Sequence, residues 1–255
     1  MKFYEAKNYI FTSCIITLNH TGRRVPDIFA PGYNICTSRF TTEIGEDTTI
    51  NVYGTSFASP NAAGSAALIR QYFTEGWYPC GSEGCSEPIK PSGALIKAVM
   101  LNGAQPVLGK ETVFRKKKMT KPLRQKYFGK INLLKSLPLA GKNQINMFIV
   151  NNKLINQGEK NTINVRINKD GCSERILSAT MSYYDIGVLA CTTRCLQNNI
   201  DLYIERLDPA SREVEKKFFP NDRKRGRDRV NNNERVQVTN ATNNQTYSIT
   251  VEAEN

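Results

Sequence analysis

The sequence predicts an α/β region over residues 1–138 followed by an all-β antiparallel sandwich, jelly-roll-like, over 139–255. Two observations carry this. Up to about residue 138 the apolar spacing is helical at 56–75, 92–104 and 131–137, with short strand patterns near 25–30 and 49–53. From about residue 145 the pattern changes to short runs, INMFIVN, TINVRIN, ILSATMSYY, NIDLYIERL, ERVQVTN and TYSITVEA, spaced by Asn, Gly and Asp turns. Gly141, Lys142 and Asn143 form the junction.

The elements can be taken in order. Residues 9–18, YIFTSCIITL, have the length of a signal-peptide core, but threonines and a serine interrupt them and no small-residue cleavage site follows, so a core strand is expected. Helix 56–75 opens with an uncharged, alanine-rich stretch at 57–69 that is apolar on every side, which predicts a buried helix. Gly64 costs about 1 kcal/mol there relative to alanine, so its expected use is the close approach of a neighbouring backbone. Gly54 and Thr55 mark the helix start. Ser56 therefore sits where N–H groups lack partners and the positive dipole end favours negative charge, a good place to stabilise an oxyanion. Pro60 has no N–H to give, which leaves the Ser56 carbonyl without its helical donor. For a lone serine the simpler reading is an N-cap on a core helix.

The string YGTSFASP changes that reading, because it resembles the nucleophile motif of the subtilisin-like serine proteases, the subtilases. GRRVPDIFAPG at 22–32 resembles the segment preceding the nucleophile in that family, PSGALIKAVMLNGA at 91–104 the helix that follows, and YFGKINLLKSL at 127–137 the hairpin and helix that close the catalytic domain. YYDIG (183–187), LQNNIDLYI (196–204) and RVNNNERVQV with YSITVEA (229–253) resemble the β-sandwich appended to one subtilase subset. The resemblance implies that 1–138 is the C-terminal part of a parallel-sheet catalytic domain. Ser56 would be the nucleophile and, through its N–H, an oxyanion donor, with Gly54 and Thr55 at the substrate.

The departures are equally specific. The family places an Asp, a His and an oxyanion-hole Asn well before the APG segment, and none can be placed in the 21 residues that precede position 22 here. His20, the sole histidine, lies too close to APG and lacks the glycine-rich setting of a triad histidine. Asp27 belongs to the PDI segment, where its expected role is local hydrogen bonding. Phe57 stands where Met is commonest, one large apolar side chain for another. The expectation is a serine-type endopeptidase, present as a partial chain unable to act alone, since an unassisted serine hydroxyl is a weak nucleophile. A catalytically inactive binding relative is the alternative. Polypeptide substrates and the missing N-terminal part of the protease domain are the expected partners, and neither cofactor nor metal is expected.

Composition bounds the remaining classes. With 40% hydrophobic residues the chain can build ordinary cores, and without an apolar run of 18 residues it predicts no transmembrane helix. The net charge of +12 owes much to RKKK at 115–118 and RKRGRDR at 223–229, both outside apolar periodicity. They read as solvated loops, and nucleic acid is not an expected partner. Of seven cysteines, Cys80 and Cys85 bracket GSEG, while Cys172, Cys191 and Cys195 are spaced compatibly with local disulfides. Zinc is a poor alternative without histidines or a paired CxxC. Sequons at Asn19, Asn240 and Asn244 add to a secretory-pathway or extracellular reading.

Overall fold

The computed structural model describes residues 23, 25–39, 48–106, 128–168, 176–187, 195–221 and 226–254. The strand expected at 9–18, His20, Asn19, the RKKK run, Cys172 and Cys191 lie outside the described residues.

The first region is mixed. Strands β1 (Ile28–Phe29) and β4 (Gly129–Lys130) pair in parallel, with Ile28 opposite Gly129. Strands β2 (Ile35–Ser38) and β3 (Thr49–Val52) form an antiparallel pair. Helices α1 (Thr55–Thr74), α2 (Gly93–Asn102) and α3 (Leu133–Ser136) fall where the periodicity predicts. Two of them start on side-chain caps: Ser92 Oγ accepts from Leu95 N at 3.0 Å, and Asn132 Oδ1 from Lys135 N at 3.2 Å.

Apolar packing is concentrated at one end of α1. Ile69, Tyr72 and Phe73 join Leu95, Val99 and Met100 of α2 and Leu137 in one core. Burying side chains of this kind contributes about 1.5–3 kcal/mol each. The expectation of a helix buried all round is corrected here: Ala58, Ile69, Tyr72 and Phe73 are the buried residues of α1, and Leu68 is 53% exposed. Gly64 faces open space, so it admits no close backbone among the described residues. A stretch that is apolar on every side does not itself select a buried face, and only the C-terminal half meets α2.

Among the described residues the second region holds six strands. These are β5 (Lys160–Arg166), β6 (Ile176–Ser182), β7 (Ile200–Leu207), β8 (Val214–Phe218), β9 (Asn233–Thr239) and β10 (Thr246–Ala253). They form antiparallel sheets in the orders β5-β10-β7-β8 and β6-β9. Ile249 of β10 lies opposite both Ile163 and Ile204. One core draws on both sheets, with Leu202, Ile204 and Tyr247 from the first and Val236 and Val238 from the second. Burial is not confined to apolar groups. Asp201 is fully buried beside Arg227, 3.5 Å away; burial raises its pKa to about 6 against the opposing pull of that guanidinium.

Two runs depart from the expected pattern. INMFIVN alternates in burial, with Ile145, Met147 and Ile149 half-buried and Asn146, Phe148 and Val150 exposed, but it pairs with no described strand. VEKKF makes strand β8 without apolar alternation, because it pairs along β7 with Lys217 bridging Glu205 at 3.1 Å.

The two regions are joined by named contacts. Arg235 of β9 donates to the carbonyls of Leu101 (2.7 Å), Ala104 (3.0 Å) and Phe128 (2.9 Å), and lies over the Phe128 ring. Asn102, the last residue of α2, accepts from Ser178 and Thr180 of β6 at 2.6 and 2.8 Å. Cys80 and Cys85 form a disulfide and Cys195 is also disulfide-bonded, while Cys36 is free and exposed.

Candidate active site

Ser56 is the second residue of α1 and is exposed. The cap is not a serine: Gly54 occupies it, with φ 141° and ψ 166°, a conformation that side chains other than hydrogen scarcely adopt. Thr55 follows, half-buried. The Gly54 carbonyl accepts the first helical bonds, from Phe57 N at 3.2 Å and Ala58 N at 3.3 Å. Among the described residues the Ser56 hydroxyl has no hydrogen-bond partner, so the N-cap reading does not describe it. No acidic side chain lies in the first turn, which leaves the positive end of the helix uncompensated beside the hydroxyl.

The APG segment holds this turn from below. Gly32 O accepts from Gly54 N at 2.7 Å, and a β-carbon added at Gly32 would meet Gly54 O at 2.7 Å and Ala58 Cβ at 3.0 Å. Hydrogen at position 32 therefore lets the two segments touch. Asn61, one turn further along α1, donates 3.0 Å bonds to Pro31 O and Phe57 O, a second tie between the APG segment and the helix. Pro60 lies inside α1 and removes the donor for the Ser56 carbonyl, as its position predicts.

Asp27 does more than bond locally. Its carboxylate receives Lys97 Nζ of α2 at 2.7 Å and Asn233 Nδ2 of β9 at 3.4 Å, and its carbonyl accepts from Phe128 N at 2.9 Å. It is thereby committed to the contact between β1, α2 and β9.

Sequence reasoning missed one feature of the site. Tyr33 and Tyr53 follow Gly32 and precede Gly54, their ring centroids are 6.5 Å apart, and they are 46% and 70% exposed. The signal was present as a tyrosine adjoining each glycine, but it takes the contact between Gly32 and Gly54 and the pairing of β2 with β3 to bring the rings together. Among the described residues no group of three or more His, Cys, Asp or Glu could hold a metal ion.

A glycine-capped helix thus carries Ser56 and is tied to the APG segment. Residues 7–129 match the model of the subtilase family. That stretch, just under half of the chain, is similar to subtilases. The chain also resembles the Serine protease/ABC transporter B family proteins tagD and tagB of Dictyostelium discoideum, at 39% and 35% identity over 97 residues, 34% of this chain and 5% of each relative. With tagA of the same organism, named likewise, identity is 25% over 223 residues, 78% of this chain and 12% of the relative. The chain thus spans 5 to 12% of the length of these relatives. Among the described residues no helix is long and apolar enough to cross a membrane.

Proposed function

We propose that the chain carries the nucleophile of a subtilisin-like serine endopeptidase, with Ser56 attacking the peptide carbonyl. The observation that carries this reading is the exposed Ser56 hydroxyl, without a partner among the described residues, in a first turn of α1 that holds no acidic side chain. In this scheme the Ser56 N–H holds one side of the oxyanion, Gly54 and Thr55 border the substrate backbone, and the Tyr33 and Tyr53 rings flank it. The triad Asp and His and a second oxyanion donor come from sequence outside these 255 residues, which divides the protein into a catalytic part ending near 138 and a sandwich at 139–255. The substrate is polypeptide, and the disulfides support a secretory or extracellular setting.

A serine-directed phosphonate tests the reading, because such reagents report an activated hydroxyl rather than mere exposure. With the upstream sequence joined in frame, label maps to Ser56 and disappears in Ser56→Ala, while the 255-residue chain stays unlabelled. A folded, completed protein that resists the reagent would replace this reading with that of an inactive binding relative.

A further inference from the structure

The connection between β9 and β10 carries two Asn-X-Thr triplets, Asn240-Ala241-Thr242 and Asn244-Gln245-Thr246. We propose that Asn240 is an N-glycosylation site of the folded chain. Asn240 and Asn244 are both exposed and both adopt positive φ, 61° and 60°, which asparagine tolerates in turns better than most residues. What separates them is the state of the rest of each triplet. Asn244 N donates to Ile167 O at 2.8 Å, Ile167 N returns to Gln245 O at 2.9 Å, and the Gln245 side chain bonds the Leu207 carbonyl. The second triplet is thus built into the sheet, and its Thr246 opens β10 with its hydroxyl taken by Arg212 at 3.4 Å.

The first triplet differs in its threonine. Ala241 is buried in the core and the Thr242 backbone is tied twice, its N–H to the Tyr247 hydroxyl at 3.1 Å and its carbonyl to Gln245 N at 3.3 Å, but the Thr242 side chain is exposed and its hydroxyl has no partner among the described residues. A threonine hydroxyl two residues past the asparagine is the element by which the Asn-X-Thr triplet is read, and here it is free. A second observation comes from elsewhere in the chain. The Cys80–Cys85 disulfide and the disulfide-bonded Cys195 fit an oxidising compartment, where this modification takes place.

The transfer balances with one co-reactant, an oligosaccharide carried on a lipid pyrophosphate. The Asn240 amide nitrogen bonds to the anomeric carbon, the bond from that carbon to the phosphate oxygen breaks, the lipid pyrophosphate leaves, and the amide gives up one proton.

The test is translation of the 255-residue chain behind a cleavable secretion signal, both in a cell-free system with microsomes and in secreting eukaryotic cells. Amidase removal of the glycan in heavy-oxygen water then marks each occupied position in a peptide map. Position 240 is expected to carry the mark in both systems, to lose it in Asn240→Gln and Thr242→Ala, and to keep it in Thr242→Ser and Asn244→Gln. An unmarked position 240 in microsomes, or a mark confined to position 244, overturns the proposal. The microsomal arm reads occupancy even in a variant that fails to fold.

Discussion

Arg235→Met removes the guanidinium that joins β9 to the end of α2 while keeping an unbranched apolar side chain in place. Three bonds of 2.7 to 3.0 Å, to Leu101, Ala104 and Phe128, are lost together with the contact over the Phe128 ring. A hydrogen bond to a charged group contributes about 1.5–3 kcal/mol, and an exposed cation–π contact about 0.5–1 kcal/mol. The three bonds share one side chain, so their losses do not add, and a net destabilisation of about 3–5 kcal/mol is expected. Urea unfolding followed by tryptophan fluorescence suits the purpose, because Trp77, the chain's single tryptophan, packs against the α1–α2 core and reports the first region. Far-ultraviolet circular dichroism follows the strands in parallel. In Arg235→Met the fluorescence midpoint should fall further than the dichroism midpoint, and Arg235→Lys should behave like Met, since one ammonium cannot reproduce the planar fork. A variant within about 0.5 kcal/mol of wild type, the range of ordinary surface changes, would refute the view that this arginine clamps the regions together.

Two further predictions follow from local geometry. Gly54→Ala places a side chain at φ 141°, and a drop in melting temperature corresponding to about 1–3 kcal/mol is expected in a thermal scan, with Ser56→Ala close to wild type. Asp201 has a pKa raised from 3.8 to about 6 by burial, so the folded state binds more protons than the unfolded chain between those values. Its contribution to stability is therefore full below the unfolded pKa and is lost as pH rises from about 4 through 6, by at most about 3 kcal/mol. Asp201→Asn should flatten that part of the stability profile in urea titrations at stepped pH; an unchanged slope would contradict the assignment.

How much of this was legible in the sequence depends on how local each feature is. The start of α1, the donor that Pro60 removes and the disulfide between Cys80 and Cys85 follow from residues within a few positions of one another, and all three are present. Strands β7, β9 and β10 were equally readable as short apolar runs between turn residues, and each contributes to the shared core. Strand β8 was not, since Val214–Phe218 gains its place from pairing with β7 rather than from an apolar face of its own. The run 145–151 shows the converse: alternation specifies which side chains turn inward, but it does not supply a neighbouring strand. The ties that hold the site, Gly32 against Gly54 and Asn61 to Pro31, link segments more than 20 residues apart, and the Arg235 contacts span more than 100. No window of sequence contains both ends.

That same run governs how the protein behaves in a tube. Its main chain forms no described ladder, and its outer row presents Phe148 at 71% and Val150 at 53% exposure, so it offers a second molecule a template for edge-to-edge growth. Lys142 and Lys153 stand at its two ends, and residues 141–158 include no acidic side chain to neutralise them. Two like molecules approaching along this edge bring lysines toward lysines, a barrier that works at low ionic strength and fades as salt shortens the Debye length below about 10 Å. Two lysines thus fence a seven-residue ribbon, and the salt chosen for storage decides whether the fence stands.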